Sequence, residues 1–392
     1  MISFGFILVI TVLLLFYGFT EYSRHQKILK SIPIRIHVNG TRGKSSVTRL
    51  IGAGLRAGGH RSITKVTGTF PRLIMPDGTE VAIHRKEKAN ILEQLDIIKF
   101  CSRQKANVLI IECMALQPQY QRITEQQMVK ATIGVITNIR LDHLDVMGPT
   151  LDDVAKALSG TIPSNSSFFT AEDRYYNFSK KIAEQRKSTS HQSKPSTISD
   201  EDMEGFRYIE HKANVALALD ICVSLGVERE IALTEMKKTM PDEGALTVSN
   251  VFSGDKTVAF YNAFAANDPE SSLMLWESIT RTNSPEEETI ILLNTRHDRQ
   301  DRARQLVEMI ASKMEFDFIG LIGESSDLVK EMALKSGIPD NKIVKIGDKT
   351  PEEKYYEIFE AIKNKGVVVG IGNMGAGGAE LAKFYELKTK NK

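Results

Sequence analysis

The sequence predicts an α/β protein in two domains, each on a mainly parallel sheet, the second smaller than the first, preceded by one N-terminal transmembrane helix. Three observations predict it. Apolar, β-branched runs alternate with helical patterns, as strands do when crossover helices separate them. That alternation breaks near residue 240 and then restarts. Residues 2–19, ISFGFILVITVLLLFYGF, are apolar or small throughout and carry no charge.

A chain of 392 residues is too long for one ordinary compact domain, and a hydrophobic share of 42% is enough to fill two cores. Fifty-one Lys and Arg against 49 Asp and Glu leave a net charge of +2, with the basic residues scattered. That balance excludes the electrostatic footprint of a nucleic-acid binder. Cys101, Cys113 and Cys222 lie far apart and form no C-x-x-C pair, which excludes a disulfide framework and a cysteine metal site. A reducing, cytoplasmic setting for the body follows.

The uncharged run sits at the lower length limit for crossing a bilayer. No Lys or Arg precedes it and no small-x-small cleavage site follows, so residues 1–22 read as an uncleaved anchor rather than a signal peptide. Arg24, His25, Lys27, Lys30 and Arg35 come next, which places the body on the cytoplasmic side of a cell membrane.

After the anchor, a central domain over residues 31–244 has candidate strands at 34–38, 108–113, 132–139 and 166–171, with helical patterns from Lys44 and from Asn90. Residues 186–205 are almost devoid of apolar side chains and read as a loop. IEHKANVALALDICVSLGV then resumes as a helix with a continuous apolar face. MPDEGAL, residues 240–246, is the expected linker. The C-terminal domain, residues 245–392, has candidate strands at 257–262, 289–294, 316–323, 342–346 and 366–372.

The chemistry starts at HVNGTRGKSS, residues 37–46. Strand, glycine-containing loop and helix follow one another as a phosphate-binding loop requires, but Val38 stands where the common pattern has its first glycine. Gly40 and Gly43 let backbone N–H groups approach phosphate oxygens at a helix N-terminus. Lys44 supplies a charge for the β- and γ-phosphates, and the Ser45 hydroxyl is a Mg²⁺ ligand type. The loop Asn39, Gly40, Thr41, Arg42, Gly43, Lys44, Ser45 and Ser46 is therefore the expected ATP contact; an ordinary strand–turn–helix is the bland alternative. Glu112 ends a strongly apolar strand, where a carboxylate points into the ligand crevice of an open sheet. Standing alone, it reads as a surface charge. TNIRLDHLDVMG, residues 137–148, brings Asp142, His143 and Asp145 into four positions, a workable divalent-ion set or a solvated turn.

Taken in order, G-T-x-G-K-S, a strand-end Glu and T-N-I-x-x-D-H-L-D-x-x-G resemble the Mur ligase superfamily, which includes the peptidoglycan amino-acid ligases and folylpolyglutamate synthase. The resemblance implies a P-loop parallel-sheet ATPase domain plus a smaller C-terminal α/β domain. It also accounts for Val38, because that family's loop lacks the first glycine. It implies an ADP-producing ligase in which ATP phosphorylates a carboxylate and an amine attacks the acyl phosphate. Lys44, Glu112 and His143 become the catalytic group, with Ser45, Glu112 and His143 holding Mg²⁺ or Mn²⁺. Asn214 matches the asparagine on the adenine side of ATP, with a structural role in its helix as the alternative. Arg296 joins the ATP contacts, and Asn267, Asp268 and Arg299 the substrate contacts.

Short anchor, P-loop, ECMA and FAAND, in that layout, are similar over essentially the whole chain to the ligase subunits of bacterial poly-γ-glutamate (capsule) synthases. Glutamate and a poly-γ-glutamate chain are then the implied substrates, with other membrane subunits and a homo-oligomer as implied partners. Three departures stand out. Lys156 is off register for the lysine that many Mur ligases carbamylate, leaving Leu158 or Ser159 there. FAANDP replaces D-x-A-H-N-P, and NTRHDRQDR keeps Asp298 and Arg299 without the family's glycines. GIGNMG, residues 370–375, resembles a dinucleotide fingerprint, but only 17 residues follow it, so close packing or a place in a cleft is the better reading than NAD. Two rivals remain: a small-molecule glutamyl ligase of the folylpolyglutamate synthase kind, and a P-loop ATPase that joins nothing.

Overall fold

The computed structural model of the chain describes residues 4–67, 71–83, 85, 89–206, 208, 210–239, 246–253, 256–266, 268–281, 284 and 286–390. Most of the expected linker and Asn267 lie outside the described residues. The chain forms two compact units, Met1–Met240 and Pro241–Lys392.

The first unit begins with α1 (Phe4–Lys30), of which Phe6–Lys30 is long and apolar enough to cross a membrane. The helix does not stop at residue 22, the bound expected for an anchor. Nothing in TEYSRHQKILK breaks a helix, and the chain turns only before Pro33. Leu29 and Ile32 are buried in the body's core. The Arg35 guanidinium then caps the open carbonyls, donating through Nη1 to Leu29 O (3.1 Å) and Ile32 O (2.6 Å) and through Nη2 to Lys130 O (2.8 Å).

Behind α1 comes an eight-stranded sheet of β1 (Ile34–Asn39), β2 (Ser62–Val66), β3 (Arg72–Ile74), β4 (Glu80–Ala82), β5 (Val108–Glu112), β6 (Ile133–Ile136), β7 (Ser167–Thr170) and β8 (Thr189–Gln192). Their order is β4-β3-β2-β5-β1-β6-β7-β8. From β2 to β8 along that order all pairs are parallel, while β3 and β4 extend one edge antiparallel. Central strands are apolar on both faces because both are covered. α2 (Lys44–Ala57) and the helix Lys212–Ser224 bury Val47, Leu50, Ile51 and Val215 against Ile36, Val38 and Ile110. α3 (Glu93–Arg103) covers the other face, where Ile97 and Ile98 join Ile63, Leu109 and Ile111.

Residues 186–205, expected as a loop, contain β8 and the short helix Asp200–Met203. β8 is polar because it is an edge strand; it is held through its backbone pairing to β7 and by His191 stacking on Phe169 at 4.5 Å. β2, β3 and β4 were not among the expected strands either.

In the second unit six strands run in the order β13-β12-β11-β14-β10-β9. These are β9 (Thr247–Ser253), β10 (Lys256–Asn262), β11 (Glu288–Thr295), β12 (Phe318–Gly323), β13 (Ile343–Gly347) and β14 (Lys365–Gly372). All pairs are parallel except β9 with β10. Separate apolar clusters fill the two faces of the sheet. The alternating edge strand β9 escaped the sequence reading.

Candidate active site

Parallel pairing brings the chemistry to one edge. Val38 pairs with Glu112 and Asn39 with Ile136, so the loop after β1, the end of β5 and the segment after β6 emerge side by side. Val38 itself lies inside β1, buried, before the loop begins, and needs no glycine there. The two glycines that remain are sterically required. Gly40 has φ +134°, and a Cβ on it would lie 2.0 Å from Thr137 Oγ1. Gly43 has φ +76°, and its Cβ would lie 2.8 Å from Asn214 Oδ1. Asn214 is thereby placed against the phosphate loop, at the start of its helix, with Nδ2 donating to Glu210 Oε1 at 2.8 Å.

The segment TNIR laces the loop in place. Thr41 N donates to Asn138 O (3.0 Å), Arg42 N to Asn138 Oδ1 (3.1 Å) and Thr137 Oγ1 to Arg42 O (2.6 Å). Asn39 turns its side chain inward, donating to Gln121 Oε1 (2.9 Å) and Thr161 Oγ1 (3.2 Å), so that side chain braces the strand end instead of facing the loop. Lys44 Nζ donates to the loop carbonyls of Gly40 (2.7 Å) and Thr41 (3.0 Å). Desolvation pushes its pKa below the usual lysine range, against the pull of the Glu112 charge.

Glu112, only 3% exposed, receives the Ser45 hydroxyl at 3.2 Å and 3.1 Å on its two oxygens and the Thr67 N–H at 2.7 Å. Its backbone carbonyl accepts from Gln94 Nε2 (3.1 Å), and the Gln94 Oε1 accepts from the buried Lys65 ammonium (3.0 Å). A hydroxyl and a carboxylate this close at the mouth of a phosphate loop fit a hard divalent cation, which takes oxygen donors. Thr67, Gln94 and Lys65 were missed from the sequence. Recognising SITKV as a strand beside β5 would have delivered Thr67 to this edge.

His143 sits in the left-handed region (φ +48°). Its Nε2 lies 3.8 Å from Asp142 Oδ2, which is also 3.6 Å from Arg42 Nη2. Asp145 is exposed in the next turn. Among the described residues no three His, Cys, Asp or Glu side chains converge as a metal cage. The D-H-x-D set thus lies at the same edge as the loop and Glu112 without being gathered into a cage.

The second unit uses its expected residues differently. Asp268 caps the helix Pro269–Thr280, its Oδ1 accepting from Ser271 N at 2.9 Å. Arg296 is bidentate to Asp298 (Nε–Oδ1 3.0 Å, Nη2–Oδ2 2.9 Å), and Arg299 closes the turn His297–Arg299. Asn294, not singled out from the sequence, is buried and donates to Asn373 O (2.6 Å) and Gly375 O (2.7 Å), fixing the loop after β14. The GIGNMG glycines serve close packing: a Cβ on Gly370 would lie 2.6 Å from the Phe264 ring.

Residues 38–239 match the Mur ligase middle domain, and residues 248–388 match the poly-gamma-glutamate synthase CapB C-terminal domain. The chain is 37% identical over 366 residues to the capsule biosynthesis protein CapB of Bacillus anthracis, covering 93% of this chain and 79% of that protein. The chain belongs to the Mur ligase family. It is also 35% identical over 376 residues to PGA synthase CapB of Bacillus subtilis (strain 168), covering 95% of each. The bifunctional folylpolyglutamate synthase/dihydrofolate synthase of Yersinia pestis, solved with AMPPNP and Mn ion, shares the fold at TM-score 0.68 and 14% identity, covering 93% of this chain and 92% of that one.

For a Mur ligase, the stretch after D-H-L-D is unusual. Lys156 points to solvent beside Asp153 (3.5 Å), and Leu158 is in the core. Ser159 is buried, with its Oγ lacking a hydrogen-bond partner among the described residues. No lysine takes the place that many Mur ligases carbamylate.

Proposed function

We propose that this chain is an ATP-dependent, ADP-producing amide ligase that joins glutamate units into poly-γ-glutamate through an acyl phosphate. The observation that carries the reading is the Ser45–Glu112–Thr67 cluster facing Lys44 at the edge of a Mur-type sheet, on a chain that matches the Mur ligase middle domain followed by the CapB C-terminal domain. Lys44 offsets the negative charge that builds as phosphoryl moves onto a carboxylate. Ser45 and Glu112 hold a divalent cation, with Thr67 N–H fixing the carboxylate, and His143 serves a second. Mg²⁺, with Mn²⁺ as a substitute, supplies charge neutralisation of the phosphates when bound. Gly40 to Ser46 cradle the phosphates, and Asn214 sits on the adenine side. Arg296 contacts the nucleotide. Asn267, Asp268 and Arg299 hold the incoming glutamate, the arginine by bidentate pairing with a carboxylate.

We further propose that residues 31–244 and 245–392 are the two catalytic domains, and that α1 crosses a bacterial cell membrane with the body in the cytoplasm. Other membrane subunits of a polyglutamate synthase and further copies of this chain are the proposed partners. Fold likeness to the folylpolyglutamate ligases does not favour a folate-type substrate, since the sequence relatives run along the CapB line. The direct test incubates membranes carrying the protein with ATP, Mg²⁺ and glutamate. A γ-linked polymer sensitive to γ-glutamyl hydrolase is expected; phosphate release without polymer, in the presence of all partner subunits, overturns the reading.

A further inference from the structure

Where α1 meets the body, a cavity of about 900 Å³ opens between the helix, α3 and the segment ending at Lys130. Its lining is amphipathic: Tyr17, Ile28 and Leu95 are apolar walls, while Arg24, Lys99 and Lys130 outnumber the carboxylates beside them, Glu21 in the lining and Asp96, which pairs with Lys99 at 3.5 Å. The helix is fixed across it, because His25 Nε2 donates to Met128 O at 2.8 Å and Lys130 Nζ to Gln26 Oε1 at 3.1 Å. The Gln26 Nε2 is buried with no hydrogen-bond partner among the described residues. A bilayer core of about 30 Å takes about 20 residues of helix. A span that begins at Phe4 therefore leaves the core near Arg24, and the cavity straddles that boundary.

We infer that this cavity holds one anionic phospholipid, its phosphate among Arg24, Lys99 and Lys130, its glycerol end against Ile28 and Leu95, and its upper acyl chain leaving along Tyr17 towards the bilayer core. The inference rests on the reading that α1 spans a bilayer. The charge balance selects the lipid: basic side chains at the cytoplasmic surface attract anionic headgroups. A zwitterionic headgroup brings a cation of its own into a wall that is already positive.

The test uses the full-length protein in neutral detergent, with vesicles of phosphatidylcholine alone or mixed with phosphatidylglycerol. Flotation reads the anchor, and native mass spectrometry reads the lipid retained per chain. Wild type is expected to float with both vesicles and to retain one phosphatidylglycerol, roughly tenfold in preference to phosphatidylcholine at equal supply. Arg24→Gln/Lys99→Gln is expected to float and bind ATP as before while losing that preference. If the double variant fails to fold, Arg24→Gln alone repeats the comparison. Equal retention of the two lipids by wild type, or an undiminished preference in the variant, overturns the cavity and leaves the anchor standing. Wild type that floats with neither vesicle overturns both. Displacement of the lipid by soluble poly-γ-glutamate at equal charge shows a general anion surface and overturns the lipid assignment.

Discussion

The C-terminal edges of the two sheets invite comparison, because both are parallel α/β edges where ligands of open sheets bind. At the first, a buried carboxylate and an ammonium lie beside one loop: Glu112 receives the Ser45 hydroxyl and the Thr67 N–H, and Lys44 bonds the loop carbonyls. At the second, polar side chains brace their own backbone: Asp268 caps a helix, Asn294 ties down the loop after β14, and Arg296 is held by Asp298. On the proposed function, the difference teaches that the first edge serves chemistry on phosphate and the second holds a shape that receives a substrate. Mutations should divide accordingly, between turnover and affinity.

The largest effect is expected at Lys44. Lys44→Ala should lower turnover by roughly 10³-fold, the scale seen when a charge-stabilising donor is lost. Melting temperature should stay near wild type, since among the described residues the ammonium bonds only loop carbonyls. Normal turnover in that variant contradicts the phosphate-site reading. Next, Glu112→Gln and His143→Ala should each cost roughly 10²-fold, with partial rescue by raised Mg²⁺ or Mn²⁺. Rescue for Glu112→Gln but none for His143→Ala would sharpen the comparison, leaving one metal at the first edge.

Arg299→Ala should raise KM for glutamate by about tenfold, the cost of one charge-assisted pair, and leave kcat within a few-fold. A kcat loss as deep as that of Lys44→Ala breaks the division between the edges.

The last expected effect is on stability rather than on catalysis. His37 is fully buried on β1, with Nδ1 2.7 Å from Glu125 Oε2. Burial works to push the imidazole down, but the nearby Cys113 sulfur and the hydrogen-bonded Glu125 carboxylate outweigh it and carry the group up to about 10. Its folded pKa thus exceeds the unfolded value of 6.5, so the stabilisation is complete below 6.5 and is lost as pH rises towards 10. Thermal melts from neutral to alkaline pH should show that decline in wild type. Glu125→Gln should flatten it and cost about 3 kcal/mol, as when one partner of a buried pair is removed. Parallel pH profiles for the two proteins refute the assignment.

How much of this was legible follows from what each segment must bury. Strands apolar on both faces, such as VLIIE and TIILLN, announce themselves. β8, reading TSHQ, and the alternating β9 do not, because an edge strand is held by backbone pairing and needs few apolar side chains. The strand–loop–helix around residues 39–46 was readable because its residues are contiguous and its glycines are sterically forced. Thr67, Gln94 and Lys65 reach Glu112 only through the register of β2, β5 and α3, and no local pattern encodes that convergence. Asn39 carries a ligand-type side chain that the fold spends on bracing, a choice invisible until its neighbours are known.

The central claim is that the first edge transfers phosphoryl to a carboxylate before the amide forms. Supplying glutamate labelled with ¹⁸O in its carboxyl groups, with ATP and Mg²⁺, and analysing the released phosphate by mass spectrometry tests it directly. One labelled oxygen should appear in phosphate for each amide bond, with ADP as the only nucleotide product. Unlabelled phosphate, or AMP with pyrophosphate, contradicts the account.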